Sequence, residues 1–339
     1  MTFGKTRLGL VGCGRISQSY VEAIQKCPGI QLVAVTDTRP ESARATAEAT
    51  GAKAYADIET FARAGIDAAI VCSPPVTHRP IALTLMGEGV HVLCEKPFAT
   101  AIEDAQAMVD AANESGLTLM MASKFRYAED VIRAKSMLAS GMLGQVLFYD
   151  NCFSGIVNMR ERWNANPAVS GGGVLIDNGT HSVDIVRYLM GPIKKMFAFE
   201  GKRIAGLPVE DTVSLSFITA DNVQGTIRLS WSVQVDSATY IDITGTEGAL
   251  RVGWKGSDYK RNSHPQWIAF GVGYDKVGAF KNQVENFVRA CHGSEEPRIT
   301  KEEGLSSVAV VDAAYRSLET GKWVEVQDLV TSPNFAAAK

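Results

Sequence analysis

The sequence predicts an α/β protein: an N-terminal Rossmann-type, doubly wound parallel sheet followed by a C-terminal α+β domain with a large open, mostly antiparallel sheet. Three observations predict it. Residues 1–123 alternate short, continuous apolar runs with stretches of helix formers, the pattern of repeated strand–helix units. The glycine turn Gly12-Cys13-Gly14 follows the first apolar run at once. Beyond residue 123 the apolar residues alternate with polar ones, with short turns such as Ala220-Asp221-Asn222 between runs. A chain of 339 residues also exceeds what one core usually supports, about 250–300 residues.

Residues 7–11, 31–36, 68–72, 90–94 and 117–121 read as strands covered on both faces, because they are mostly apolar runs rather than alternating ones. Helices are expected between them at 16–26, 40–50, 80–87 and 102–115. A further helix is expected at 128–140, ended by Gly141. The glycine-rich turn at 170–173 should open a helix reaching Met190. Strands follow at 195–203, 212–218, 224–235, 239–244 and 249–252. Residues 253–278 read as a loop rich in aromatic and polar side chains, a lid or an oligomer contact. Helices at 279–292 and 301–320 and a strand at 322–326 close the pattern. The boundaries are set at 1–123 for a dinucleotide-binding domain and 124–330 for a substrate-binding and oligomerisation domain. The closing helices have room to pack back on the first domain, and 331–339 reads as a tail.

Composition narrows the function. The chain is 46% hydrophobic and 21% charged, with a formal net charge of -3 and no run of like charge, so no nucleic-acid partner is expected. No apolar stretch approaches the roughly 20 residues of a membrane span, and Met1–Thr6 lacks the apolar segment of a secretory signal. The six cysteines are scattered without a Cys-x-x-Cys pair, as expected of reduced thiols in a cytoplasmic protein. No Cys/His cluster has metal-ligand spacing, so no metal is expected.

The glycine turn reads as a dinucleotide cradle. Gly12 makes the tight turn, Gly14 lets a pyrophosphate approach the backbone, and Cys13, Arg15 and Ile16 lead into a helix whose N–H groups favour anions. Ser17 stands where a third glycine is usual. Asp37, closing the second strand, can accept the hydroxyls of an adenosine ribose, which points to NAD. Arg39 leaves NADP possible by pairing with a 2′-phosphate. Asp37 could instead only start the turn before Pro40. Ser73 and Pro74 follow another strand at the carboxyl edge of the sheet, and His78 either touches cofactor or caps a helix.

Glu95-Lys96-Pro97 also follows a strand, which puts Glu95 and Lys96 beside the expected nicotinamide position. Asp177 and His181 lie four residues apart on a predicted helix, and Asp184 and Tyr188 continue their stripe among apolar neighbours. Such a stripe is expensive unless it lines a site; the alternative is a buried histidine satisfied by its own carboxylate partner.

The chain resembles the glucose–fructose oxidoreductase / inositol dehydrogenase / rhizopine catabolism (Gfo/Idh/MocA) oxidoreductases. The residues that carry the resemblance are Gly12-Cys13-Gly14-Arg15-Ile16, Glu95-Lys96-Pro97, the stretch 171–184 (GGGVLIDNGTHSVD) and Glu210-Asp211-Thr212. It implies a Rossmann domain and a C-terminal sheet through which relatives form dimers or tetramers, so a homodimer or homotetramer is expected. It also implies that Lys96, Asp177 and His181 match the family's catalytic lysine, aspartate and histidine. The chemistry agrees: a histidine can take the hydroxyl proton, a carboxylate one turn away can orient it, and a lysine can donate to the substrate oxygen.

Lys124, Arg126 and Tyr127 stand where the family faces its substrate, with Asn151, Phe153, Arg162, Trp163 and Trp231 as further candidates. Hydroxyl-binding groups and aromatic faces together suit a polyol or sugar. The leading expectation is an NAD(P)-dependent dehydrogenase or reductase acting on a sugar, inositol or nucleotide sugar. An NAD-dependent glycosidase using transient oxidation and a non-catalytic NAD-binding regulator are the alternatives.

Overall fold

The computed structural model describes residues 5–327, so the tail expected at 331–339 lies outside it. The chain begins with β1 (Thr6–Val11), α1 (Arg15–Gln25), β2 (Ile30–Thr36), α2 (Pro40–Thr50) and β3 (Lys53–Tyr55). It continues through α3 (Ile58–Ala62), β4 (Ala68–Val71), α4 (His78–Gly87), β5 (His91–Glu95), α5 (Ile102–Ser115) and β6 (Leu119–Ala122). The six strands pair in parallel in the order β3-β2-β1-β4-β5-β6. Chain order reverses at β1, so the carboxyl ends of β1 and β4 frame a crevice of the kind where α/β sheets bind ligands.

Burial explains the unbroken apolar runs. All four residues of β4 and three of β5, Val92, Leu93 and Cys94, are fully buried. Each valine, leucine or isoleucine so placed contributes about 1.5–3 kcal/mol. β3 and α3 escaped the sequence reading because they are too short to show a period.

A 3₁₀ turn at Lys124–Tyr127 leads to α6 (Glu129–Ala139), β7 (Val146–Ser154), α7 (Pro167–Ser170), a π turn at Leu175–Gly179 and α8 (Thr180–Met190). Then come β8 (Ile193–Glu200), β9 (Thr212–Thr219), β10 (Gln224–Ser230), β11 (Thr239–Gly245) and β12 (Gly248–Gly253). They are followed by β13 (Ser257–Arg261), β14 (His264–Gly271), α9 (Lys276–Cys291), α10 (Lys301–Thr320) and β15 (Val324–Glu325). The second sheet runs β14-β13-β12-β11-β7-β10-β9-β8-β15. Among the described residues only β7 and β10 of this sheet pair in parallel, so the sheet is mixed and mostly antiparallel. Its strands alternate, as in β9, where Val213, Leu215 and Phe217 turn inward.

Two expectations need correction. Residues 253–278 are not all loop: Ser257–Gly271 form the β13–β14 hairpin. β14 lies at the sheet edge with six exposed residues in succession, so neither face imposes an apolar period on it. The helix expected after Gly173 opens as a π turn before becoming regular at Thr180.

The chain divides into two units. One comprises the residues up to Tyr127 together with Lys276–Leu305; the other comprises Ala128–Asp275 and the residues from Ser306 onward. In the first, α9 packs on α1. Phe280 meets Tyr20 edge-on at 4.7 Å, Gln283 donates to the Tyr20 hydroxyl at 2.9 Å, and the Tyr127 hydroxyl donates to Asn286 at 2.9 Å.

Candidate functional site

The cradle forms at the carboxyl end of β1. Gly12 has φ +86°, and a Cβ there would lie 2.8 Å from the carbonyl carbon of Cys72, so only glycine fits the turn. Gly14 is different: beyond its chain neighbours, nothing lies within 4 Å of where its Cβ would stand. Glycine there leaves the backbone open on its outer side. Helix α1 starts immediately after it, with no acidic residue in its first turn to compete with a phosphate. Arg15 is exposed and Ile16 half-buried. Ser17 is buried and donates to the Gly14 carbonyl at 2.6 Å, a compact substitute for a third glycine. These features fit a dinucleotide pyrophosphate.

Asp37 has both oxygens engaged by the loop. Oδ2 accepts from the Cys13 N–H at 2.7 Å and Oδ1 from the Arg39 N–H at 2.8 Å. The carboxylate therefore fixes the glycine loop and starts the turn before α2. Its side chain keeps 8% exposure, while Arg39 is 61% exposed with its Nε 3.5 Å from Asp37.

Ser73 and Pro74 follow β4 and are half-buried. His78 is fully buried beneath them: Nε2 lies 2.9 Å from the Ser73 carbonyl, and Nδ1 lies 3.0 Å from that of Pro97. Burial pushes its pKa down despite these carbonyls. His78 thus ties two edge loops together from below and does not reach the surface where a cofactor would lie.

The Lys96–Pro97 peptide is cis. Lys96 is half-buried at the carboxyl end of β5, on the same sheet edge as the glycine turn. Glu95 points inward and is 8% exposed. Its Oε1 accepts from the Tyr20 hydroxyl at 2.7 Å and its Oε2 from the Lys96 N–H at 3.0 Å. Burial raises the Glu95 pKa, with Lys96 the strongest opposing influence.

In the second unit, Asp177 sits half-buried in the π turn, and His181, 7% exposed, opens α8. A π turn carries about 4.4 residues where an α turn carries 3.6, and such irregularities often mark functional positions. Its anchor is Glu210, which sequence reasoning noted only as part of a resemblance. Glu210 is 5% exposed, and one oxygen, Oε1, accepts from the Gly173 N–H at 2.8 Å, the Leu175 N–H at 3.1 Å and the Tyr315 hydroxyl at 2.8 Å. The Glu210 carbonyl accepts from the Val174 N–H at 2.9 Å. A Cβ on Gly173 would strike that carbonyl oxygen, which explains the glycine. Asp184 is fully buried on the same helix.

Several residues expected at the substrate are buried and engaged by other parts of the chain. Arg126 is 1% exposed; its guanidinium pairs with Glu303 at 2.7 Å and donates to the Arg298 carbonyl at 3.0 Å. Asn151 is 2% exposed, accepting from the Ser182 hydroxyl at 2.5 Å and donating to the Tyr240 carbonyl at 2.7 Å, so it bolts α8 to the sheet. Trp231 is also 2% exposed. Phe153 stacks on Tyr240 with centroids 5.7 Å apart. Strand alternation turns Asn151 and Phe153 inward, to the covered face. Lys124 lies over the rings of Phe125 and Phe280 and within the field of Glu95. Trp163 is 42% exposed, and Arg162 helps line a cavity of about 400 Å³ with Arg160, Asn166 and Leu207. A larger cavity of about 730 Å³ lies beside Trp254, Gln234, Asp236 and Lys255, none of which was a site candidate.

Comparison with known proteins decides the family. Residues 6–123 match the "Oxidoreductase family, NAD-binding Rossmann fold", and residues 131–251 match the "GFO/IDH/MocA C-terminal domain". The chain belongs to the Gfo/Idh/MocA oxidoreductase family. Within that NAD-binding family it is 26% identical to a D-apiose dehydrogenase of Paraburkholderia graminis, over 94% of this chain and 89% of the relative. It is also 26% identical to an inositol 2-dehydrogenase of Rhizobium meliloti, over 94% and 99%. Among solved structures, the WlbA dehydrogenase of Bordetella pertussis, in complex with NADH and UDP-GlcNAcA, aligns with a TM-score of 0.85 at 26% identity, covering 96% of this chain and 99% of that one. A levoglucosan dehydrogenase in complex with NADH shares the fold at a TM-score of 0.89 and 19% identity.

Proposed function

We propose that this NAD-binding oxidoreductase moves a hydride between a nicotinamide and a secondary alcohol or ketone of a sugar, inositol or nucleotide sugar. The observation that carries the reading is the edge of the parallel sheet. The open approach at Gly14 and the half-buried Lys96 stand at the carboxyl ends of β1 and β5, which flank β4. The named relatives supply the substrate class.

Gly12, Gly14 and the first turn of α1 would hold the pyrophosphate, with Cys13, Arg15, Ile16, Ser73 and Pro74 around it and Asp37 shaping the loop. The dinucleotide, when bound, supplies the hydride-accepting ring. His181 takes the hydroxyl proton, since an imidazole titrates near neutral pH. Asp177 orients that imidazole and favours its cation. Lys96 donates to the substrate oxygen as alkoxide character grows. Both Asp177 and His181 depend on the Glu210-anchored turn for their aim.

We place the protein in the cytoplasm, because its six cysteines are all free thiols. Among the described residues no helix is long and apolar enough to cross a membrane. Assembly through the open sheet is also part of the reading. Phe148 and Phe199, on β7 and β8, are about half exposed, and a second copy would cover them.

The test is NADH formation with inositols, free sugars, sugar acids and nucleotide sugars, using NAD and NADP in parallel. Lys96→Ala and His181→Ala should each lower turnover at least ~10²-fold while NAD still binds. Near-wild-type turnover in both would sink the residue roles. Aglycone release without net NADH would favour transient oxidation in a glycosidase.

A further inference from the structure

The turn between β12 and β13 and the chain leading into β11 enclose the cavity of about 730 Å³, which hydride transfer leaves unused. It lies wholly within the second unit, and its wall contains none of Lys96, Asp177 and His181. Its size is that of a small-molecule site, about 300–1,000 Å³. Small residues make the room: Ala238, Gly256, Ala269 and Gly271 line it where larger side chains would fill it.

One wall is an aromatic platform. Trp254 lines the cavity and keeps 40% of its surface exposed, although three rings pack against it. Tyr240 lies 4.6 Å away between centroids, Phe153 5.9 Å, and Tyr274 6.0 Å edge-on. The main chain is pinned as well: the Trp254 N–H donates to the Ala238 carbonyl at 3.0 Å, and its carbonyl accepts from the Tyr274 N–H at 3.1 Å. A ring held in this way loses little freedom when a ligand lands on it.

The wall behind is locked by Asp130, 2% exposed on α6. Its Oδ2 accepts from the Ser257 hydroxyl at 2.6 Å and from the Gly273 N–H at 2.8 Å. A Cβ on Gly271 would strike the same carboxylate. Asp258, also in the wall, is taken up by a two-pronged pair with Arg251 at 2.9 and 2.8 Å. The remaining polar groups are uncommitted. Gln234, Asp236 and Lys255 are exposed, and among the described residues no hydrogen bond or ion pair ties them down. Together they offer acceptors, donors and one charge of each sign.

We propose that this cavity is a carbohydrate-binding subsite, in which a neutral sugar ring lies with its C–H face on Trp254 and its hydroxyls on Gln234, Asp236 and Lys255. A pyranose is apolar on its faces and carries hydroxyls, each donor and acceptor, around its edge; the platform and the three side chains complement both. An anionic ligand would meet the Asp236 carboxylate. The inference goes beyond hydride transfer, because the subsite holds a sugar whether or not the chain oxidises it.

The probe is a β-glucoside carrying a photoactivated diazirine, cross-linked to the full chain saturated with NADH, so that no alcohol is oxidised. Peptide mapping by mass spectrometry should find the label within residues 234–238 or 254–258, displaced by methyl β-D-glucopyranoside. Gln234→Ala with Asp236→Ala should lower that labelling at least about tenfold, since two ligand hydrogen bonds go, and leave the melting temperature unchanged, since no bond within the chain is lost. Trp254→Ala should lower it likewise. Label absent, or found only on the peptide carrying Asp177 and His181, overturns the proposal. So does undiminished labelling in the double variant, or displacement by uridine monophosphate in preference to the glucoside, which marks a nucleobase site. Failure of the hydride-transfer reading looks different: His181→Ala would then turn over substrate at the wild-type rate, with the cavity labelled as before.

Discussion

Glu210→Ala removes one acceptor and strands three donors: the N–H groups of Gly173 and Leu175 and the hydroxyl of Tyr315. A hydrogen bond to a charged group contributes about 1.5–3 kcal/mol, and a buried donor left unpaired costs about 1–3 kcal/mol. The three share one oxygen and are close neighbours, so their losses do not simply add. Water entering the vacated space recovers part. The expected loss is about 3–5 kcal/mol, or about 10 °C in melting temperature for a unit of this size. Glu210→Gln keeps an acceptor oxygen in place and should cost only about 1–2 kcal/mol. Tyr315→Phe should be mild alone and add little to Glu210→Ala, because its partner is already gone. Thermal unfolding by circular dichroism reads the wild type, the three single variants and the Glu210→Ala/Tyr315→Phe double variant. A Glu210→Ala variant melting within about 2 °C of wild type would refute the view that this carboxylate holds the turn.

Other predictions follow from the same geometry. Gly14→Val should leave the melting temperature nearly unchanged, since no protein atom is struck, yet weaken NAD binding at least about tenfold by calorimetry. Gly12→Ala should do the opposite first, destabilising the fold by about 1–3 kcal/mol through its positive φ and the clash with Cys72. Arg126→Leu should cost about 1–3 kcal/mol in denaturant unfolding, because it removes the buried guanidinium's bonds to Glu303 and to the Arg298 carbonyl. For pH, burial raises the Glu95 carboxyl above its ordinary 4.5 in the folded state. The stability linked to its proton is complete below that value and lost as pH rises through the folded pKa. Wild type should therefore lose ground to Glu95→Gln between acid and neutral pH in a melting series. A constant difference across that range would contradict it.

Much of the first unit was legible because parallel strands announce themselves. β4 is an unbroken apolar run, β1, β2 and β5 carry polar residues only near their ends, and Gly12 follows one of these strands directly. The second unit was legible where its sheet has a covered face, as in β9, and illegible at β14, where an edge strand exposed on both faces carries no apolar period. The helix carrying Asp177 and His181 was expected, but not its π turn, since local composition does not distinguish 3.6 from 4.4 residues per turn. Arg126, Asn151 and Trp231 look like surface chemistry in a linear text. Only pairing and strand direction reveal that Arg126 meets Glu303 and that Asn151 meets Ser182. The anchoring role of Glu210 was unreadable for the same reason, because its partners lie 35 and 37 residues upstream and 105 residues downstream.

The return of α9 to the first unit has a consequence for biosynthesis. A nascent chain that has just released β6 from the ribosome holds every strand of the parallel sheet, yet Tyr20 still lacks Gln283 and Phe280, and Tyr127 lacks Asn286. The intervening residues Ala128–Asp275 must emerge before those partners exist. At ribosomal speeds of about 5–20 residues per second, that is a wait of roughly 7–30 s with the flank of α1 uncovered. Chaperone capture of ribosome-stalled chains should therefore be strongest for arrest points within this insertion and fall once α9 has cleared the exit tunnel.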